Sequence, residues 1–208
     1  MPGIFRLCYI TDRRALEPKP LLPWVLEAVR AGVDLVQIRE KDLATRDLLS
    51  LVGAAVAAAP QARSGTRLIV NDRLDVALAA GAHGVHLGTQ SMPASVVRGI
   101  VPKDFLVGVS CHSLRETLEA ESAGADYALL GPIFETPSKI QYGPPLGLET
   151  LRDVAARVTI PLYALGGITV ERVRPCLEAG ATGIAGIAVF QTAASLAERV
   201  RELREQGL

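Results

Sequence analysis

The sequence predicts an α/β protein, a single closed parallel barrel of the (β/α)8 TIM-barrel kind, and three observations carry that prediction. First, four Ala-Gly pairs each close a helical stretch and precede a short apolar run: Ala31-Gly32 before Leu35–Ile38, Ala80-Gly81 before Gly84–Leu87, Ala123-Gly124 before Tyr127–Leu130, and Ala179-Gly180 before Gly183–Ile187. A glycine just past a helix takes the left-handed conformation that ends it, and an apolar run of that length reads as a strand buried on both faces. Second, the gaps between the pairs hold four more short apolar-rich segments, Phe5–Ile10, Arg67–Val70, Phe105–Val109 and Pro161–Leu165, which brings the strands to eight. Third, the open doubly wound alternative lacks its Gly-x-Gly-x-x-Gly turn after the first strand, where Tyr9-Ile10-Thr11-Asp12-Arg13 stands instead.

In such a barrel the working residues sit at the carboxyl ends of the strands, so each exit is a place to look. The first strand leaves through Thr11-Asp12. The second leaves through Gln37, Arg39 and Lys41, which alternate along an extended segment; a period of two turns them to one side and Ile38 and Glu40 to the other. A forked guanidinium beside a point-charge ammonium suits a pyrophosphate, whereas the bland reading makes Arg39 and Glu40 a surface ion pair. The third exit carries Asn71-Asp72; either residue serves as cap for a helix starting near Arg73, and a carboxylate there also suits magnesium, with Asn71 as cap and Asp72 as ligand the combined reading.

The fourth exit holds His86 and Gly88, and His86, inside an apolar strand, reads as a satisfied core histidine. The fifth holds Ser110 and His112, just before a helix over Leu114–Ala123 that Ser113 is placed to cap; His112 is open to a proton-shuttling or a structural role. The sixth holds Gly131-Pro132 with Thr136, Ser138 and Lys139 beyond, in a Pro- and Gly-rich loop from Phe134 to Pro145 suited to closing over a ligand. The seventh ends in Gly166-Gly167 and the eighth near Gly186–Ala188, where barrels of this kind bind a phosphate through backbone amides. A last helix is expected over Ala193–Glu205. His83 reads as an exposed loop residue, and three scattered histidines make no zinc site.

Composition narrows the function classes. With 208 residues and 49% hydrophobic content the chain can bury one large core, and no composition break divides it, so one domain over 1–208 is expected. Lys and Arg together number 22, as do Asp and Glu, which points away from nucleic acid and anionic membranes toward a small-molecule partner. The chain shows neither a signal-type amino terminus nor a transmembrane-length run, and Cys8, Cys111 and Cys176 lie far apart without metal-ligand spacing; a cytoplasmic protein with reduced thiols is expected, with a homodimer as the base-rate assembly.

In order along the chain, Val36–Lys41, Val70-Asn71-Asp72, Gly84–Gly88, Gly108–Ser113, Gly124–Tyr127 through Gly131-Pro132 with Thr136 and Lys139, and Gly166-Gly167-Ile168 resemble the thiamine-phosphate synthase family, which includes the TenI-type thiazole tautomerases. For the synthases the resemblance implies coupling of hydroxymethylpyrimidine pyrophosphate to a thiazole phosphate with release of pyrophosphate. On that pattern Gln37, Arg39, Lys41, Asn71 and Lys139 hold the pyrophosphate, and Asp72 ligates magnesium. Ser110 and Thr136 line the reacting groups, while Gly167 with the Ile187-Ala188 backbone holds the thiazole phosphate.

Two departures stand out. Where the synthases carry Gly-Gln-Glu-Asp after the fourth strand, with the Asp as a second magnesium ligand, this chain reads Gly88-Thr89-Gln90-Ser91; and Ala188 replaces a Ser beside the phosphate. Both lean toward the tautomerases, in which a histidine at the position of His112 assists a proton shift and no metal is needed. Three readings follow in order: synthase, tautomerase, and a silent barrel that only binds a thiazole or thiamine phosphate.

Overall fold

The computed structural model of the chain describes residues 5–59, 65–136 and 144–208. Eight parallel strands form a closed barrel in sequence order: β1 (Leu7–Ile10), β2 (Leu35–Ile38), β3 (Arg67–Asn71), β4 (Gly84–Leu87), β5 (Leu106–Cys111), β6 (Tyr127–Leu130), β7 (Leu162–Leu165) and β8 (Gly183–Gly186), with β8 pairing back onto β1. The helices are α1 (Arg13–Leu16), α2 (Leu21–Arg30), α3 (Thr45–Ala58), α4 (Leu74–Ala79), α5 (Ala94–Arg98), α6 (Leu114–Ser122), α7 (Gly147–Ala155), α8 (Val170–Glu178), α9 (Ala188–Gln191) and α10 (Leu196–Glu205). Sequence reading expected eight helical segments; the additional α1 and α9 are single turns on β1 and β8, too short to show a hydrophobic period. The last helix starts at Leu196 rather than Ala193, because Ser195 caps it by accepting a hydrogen bond from the Glu198 N–H.

The Ala-Gly pairs do what their pattern implies. Gly32 holds φ +84° and Gly180 +96°, and each of the four pairs closes its helix with the same two bonds. At the first, the Val33 N–H reaches the Ala28 carbonyl at 3.1 Å and the Gly32 N–H reaches Val29 at 3.1 Å; the Ala82 to Ala77, Ala125 to Ala120 and Ala181 to Cys176 bonds repeat the first of these. Two residues beyond each glycine a polar side chain then accepts an amide from the start of the preceding strand. Asp34 takes Leu7 N–H at 2.8 Å, His83 takes Leu68 at 3.0 Å, Asp126 takes Val107 at 2.7 Å and Thr182 takes Leu162 at 3.1 Å. The barrel floor is thus stapled by a repeat of four strand pairs. This corrects the reading of His83 as an exposed loop residue: it is half-buried, its Nδ1 is an acceptor, and burial holds its pKa below the ordinary value.

Alternation along the strands separates two cores. Cys8, Ile10, Leu35, Ile69, Tyr127, Leu129, Tyr163 and Ala185 fill the barrel interior, while the opposite faces pack against the helices. Extending the inner face by the period of two places Gln37, Asn71, His86 and Ser110 inside the carboxyl-terminal mouth. The three cysteines are free and buried. No helix among the described residues is long and apolar enough to cross a membrane.

Candidate active site

Inside the mouth, β4, β5 and β6 build a hydrogen-bonded stack. His86 is buried, its Nε2 lies 2.8 Å from Ser110 Oγ and its Nδ1 lies 3.2 Å from the Tyr127 hydroxyl. Its ring stacks on Tyr127 at a centroid distance of 5.7 Å, and Tyr127 meets Tyr163 edge-on at 5.6 Å. Gly108, directly across the sheet from Tyr127, leaves the space the phenol ring fills. His86 is thus the satisfied core histidine expected, and it also holds Ser110.

Burial, with the Arg39 charge adding, lowers the His86 pKa to about 3. An unfolded chain protonates this imidazole near pH 6.5 while the native state refuses the proton, so stability falls as pH drops from about 6.5 toward about 3, by up to about 1.4 kcal/mol per pH unit from this group. Urea unfolding of the wild type against His86→Gln across that window should show this difference in slope; parallel slopes would remove His86 as the cause.

The loop after β2 is held from behind. Thr11 is buried; its Oγ1 donates to Glu40 Oε1 at 2.6 Å and accepts the Arg39 N–H at 2.9 Å. Glu40 also accepts the Arg13 N–H at 3.1 Å, and Asp42 pairs with Arg13 at 2.7 Å and Arg14 at 2.6 Å. Burial raises the Glu40 pKa, against the lowering effect of Thr11 and Arg13. The bland reading of an Arg39–Glu40 surface pair therefore fails: Glu40 is buried and faces Thr11 and Arg13, while neither Arg39 nor Lys41 has an ion-pair partner among the described residues. Thr11→Val should cost about 1–3 kcal/mol in unfolding free energy, because it strips a donor from a buried carboxylate and orphans the Arg39 amide. A loss under about 0.5 kcal/mol in denaturant titration would show that the clamp is not needed. Gln37 is buried on the same strand, and its Nε2 has no hydrogen-bond partner among the described residues. An orphaned buried amide is costly unless a ligand satisfies it.

At the β3 exit, neither Asn71 nor Asp72 caps the following helix. The N-cap of α4 is Arg73, without a side-chain bond, which corrects the capping reading for both residues. Asp72 instead takes φ +65°, the described non-glycine residue with positive φ, while its N–H donates to the His86 carbonyl at 2.8 Å. This conformation costs an ordinary side chain about 1–2 kcal/mol, is easiest for Asn and Asp, and gathers at functional sites. The Asp72 carboxylate is exposed and makes no side-chain hydrogen bond among the described residues.

As a magnesium site this is a one-carboxylate arrangement. Beyond β4, Ser91 Oγ accepts the Gly88 N–H at 2.7 Å and closes a turn, and the described residues contain no cluster of three metal-ligating side chains. One carboxylate with substrate phosphate oxygens and waters is a donor set that magnesium accepts, so the residues present fit an ion held jointly with a phosphorylated ligand.

At the β5 exit Ser113 caps α6 as expected, accepting the Glu116 N–H at 3.2 Å. Glu116 Oε2 in turn accepts the His112 N–H at 2.8 Å and stands 3.2 Å from His112 Nδ1, orienting a half-exposed imidazole. At the β7 exit Gly166 and Gly167 hold φ +96° and +65°, and a Cβ on Gly167 would stand 2.5 Å from the Glu135 carbonyl oxygen and 2.8 Å from Phe134 Cβ. Arg172 Nη1 donates to the Gly167 carbonyl at 2.6 Å. Next to it, Ile187 is the N-cap of the single turn α9, with Ala188 its first residue. Gln191 locks this turn to α1, accepting the Asp12 N–H at 2.9 Å and donating to its carbonyl at 2.8 Å. Thr136 is the last described residue of the β6 loop; Ser138 and Lys139, and most of the 134–145 segment expected to close over a ligand, lie outside the described residues.

Gln37, Arg39, Lys41, Asn71, Asp72, Ser110, His112, Gly167, Ile187 and Ala188 thus all stand at the carboxyl ends of strands, on the rim of one barrel. Sequence reading assigned no supporting role to Thr11, Glu40, Glu116, Tyr127 or Gln191. Of these Glu116 had a signal, three residues past a capping Ser and four past His112; the others meet their partners only through the closed sheet.

A family model described as thiamine monophosphate synthase matches residues 7–190. The chain belongs to this family. Among relatives of this family, the thiamine-phosphate synthase of Syntrophomonas wolfei is 38% identical over 201 residues, 97% of this chain and 95% of that one. That of Methanoculleus marisnigri is 44% identical over 180 residues, covering 86% and 84%. Among solved structures, a thiamine phosphate pyrophosphorylase from Pyrococcus furiosus superposes with a TM-score of 0.86 at 37% identity, over 97% of this chain and 95% of that one. The family resemblance read from ordered motifs is therefore correct, as is the barrel.

Proposed function

We propose that this chain is a thiamine-phosphate synthase, a transferase joining hydroxymethylpyrimidine pyrophosphate to a thiazole phosphate and releasing pyrophosphate. The observation that carries the reading is that, among the described residues, neither the guanidinium of Arg39, on a clamped backbone, nor the buried amide nitrogen of Gln37 beside it has a partner, in a chain whose relatives bear that name. In this reading Gln37, Arg39, Lys41, Asn71 and Lys139 grip the pyrophosphate, and the fork of Arg39 takes two of its oxygens. Asp72 would hold magnesium, which when bound would supply positive charge against the pyrophosphate. Ser110 and Thr136 line the reacting groups, and Gly167 with the Ile187-Ala188 amides receives the thiazole phosphate. As the leaving group departs with its bonding electrons, the pyrimidine methylene becomes cationic and the thiazole nitrogen captures it. The residues' task is to stabilise the anion formed and to keep water from the cation.

A second reading, thiazole tautomerase, has its own support: Ser91 stands where the synthase pattern has a carboxylate, and His112 is an imidazole oriented by Glu116. A third, a barrel that only binds, comes last because it leaves the phosphate-gripping residues without a use. Purified protein is given both synthase substrates with magnesium in one tube and the thiazole tautomer alone in another. Thiamine phosphate in the first tube is the expected result; product only in the second selects the tautomerase, and product in neither selects the binding protein. Ser91→Asp keeps an acceptor for the Gly88 N–H and adds a carboxylate, so coupling at limiting magnesium is expected to rise by about threefold or more; an unchanged magnesium response would show that one carboxylate suffices.

A further inference from the structure

The buried contacts of Ser110 assign a direction to its hydroxyl. Tyr127 and His86 are both enclosed in the barrel, and the only partner of the Tyr127 hydroxyl among the described residues is His86 Nδ1, at 3.2 Å. His86 has Ser110 Oγ on its other nitrogen at 2.8 Å. A neutral imidazole carries one N–H, so two arrangements are available. If the proton sits on Nδ1 it points at the phenol oxygen, and the phenol proton is left in a closed interior without an acceptor. If it sits on Nε2, the Tyr127 O–H donates to Nδ1, His86 Nε2–H donates to Ser110 Oγ, and the Ser110 proton turns outward. Both buried donors of the Tyr127–His86 pair are then satisfied, and an unmade buried donor is costly in a folded interior.

We propose that Tyr127 and His86 are positioning residues that commit the Ser110 hydroxyl to donate a hydrogen bond into the barrel mouth, toward an anionic oxygen of the bound phosphorylated ligand. This deepens the synthase reading and rests on it for the ligand, although the direction of donation follows from the protein alone. Burial, which keeps the His86 imidazole neutral, supports the arrangement, and donors in a chain polarise one another, so the outermost hydroxyl is a better donor than an isolated serine. The imidazole bonds Tyr127 on one nitrogen and Ser110 on the other, has Asn71 beside it on β3, and feels the Arg39 charge, which further disfavours protonation. A Cβ on Gly108 would overlap the Tyr127 ring, so the geometry has little freedom to adjust.

Two measurements test this. Nitrogen-15 NMR of the histidine rings in the intact protein should find His86 protonated on Nε2 and bare on Nδ1 from about pH 5 upward. A proton on Nδ1 overturns the proposal, and this result does not depend on what the protein catalyses. The second is a double-mutant cycle on coupling activity. Tyr127→Phe, which keeps the ring, should lower kcat by about fivefold or more with KM changed by less than about twofold. In the Ser110→Ala background the same substitution should change kcat by less than about twofold, because it acts only through that hydroxyl. Equal effects in both backgrounds would mark Tyr127 as merely structural and overturn the relay. His86→Gln, which offers an amide N–H near the Nε2 position, should retain more activity than His86→Leu. If His86→Leu does not fold, the Tyr127 cycle still decides. If wild type shows no coupling while His86 carries its proton on Nε2, the synthase reading falls and the donor assignment stands.

Discussion

Arg39→Ala should lower kcat/KM for coupling by about a hundredfold or more while leaving the melting temperature nearly unchanged. The two halves of that expectation have separate causes. The Arg39 side chain makes no ion pair or hydrogen bond among the described residues, so its removal strands no partner, and substitutions away from such features stay within about 0.5 kcal/mol. Its backbone is fixed by Thr11, so the guanidinium starts from a set position and little is spent on ordering it when the ligand binds. Charge that develops on a departing pyrophosphate is what a preorganised cation stabilises, and losing one such group removes about 3–4 kcal/mol from the transition state. Arg39→Lys should recover part of the rate, since it restores the charge without the fork. Steady-state kinetics beside a thermal melt gives both numbers, and a variant that lost stability in step with activity would place Arg39 in the framework rather than the site.

Gly167→Ala should be damaging on both counts. The residue holds φ +65°, which costs an alanine about 1–2 kcal/mol, and the added methyl would press on the Glu135 carbonyl oxygen at 2.5 Å and Phe134 Cβ at 2.8 Å. Overpacking of this kind adds about 1–3 kcal/mol, so a total loss near 2–5 kcal/mol is expected in unfolding free energy. Gly32→Ala is the control. Its φ is +84°, but nothing lies within 4 Å of the position a Cβ would take, so only the backbone cost applies. If Gly167 receives the thiazole phosphate as proposed, KM for that substrate should rise by about tenfold or more, because the β6 and β7 loops must separate to admit the methyl. Equal losses at Gly32 and Gly167 in denaturant titration would show that the loop contact carries no weight.

Much of this was legible in the chain, and the reason is locality. Ala-Gly followed by an apolar run encodes helix, stop and buried strand within about a dozen residues, and all four pairs end their helices with the same bonds. Alternation put Gln37 on the face opposite Ile38, although β2 ends at Ile38 and Lys41 stands in a turn, and Ser113 announced its helix. Where local rules misled, a longer-range contact had won. Asn71-Asp72 looks like a cap, yet β3 runs on through Asn71 because the Asp72 N–H pairs with the His86 carbonyl of β4, which carries the chain past the point where a cap would form. Arg39 and Glu40 look like a surface pair, yet the Thr11 hydroxyl, just past the end of β1, draws Glu40 inward.

The sequence by itself determined the strand count, the turn chemistry, the family and which exits carry polar groups, since each depends on residues close together or in a recognisable order. Only the tertiary structure decided which side chains meet: Thr11 behind the Arg39 loop, Tyr127 behind His86, Gln191 between the first and last strands. Those partners lie 28, 41 and 179 residues apart: pairing of β1 with β2 brings the first together, β5 joins the strands of the second, and closure of β8 onto β1 brings the third. Register across eight strands is a property of the whole ring, which no window along the chain contains.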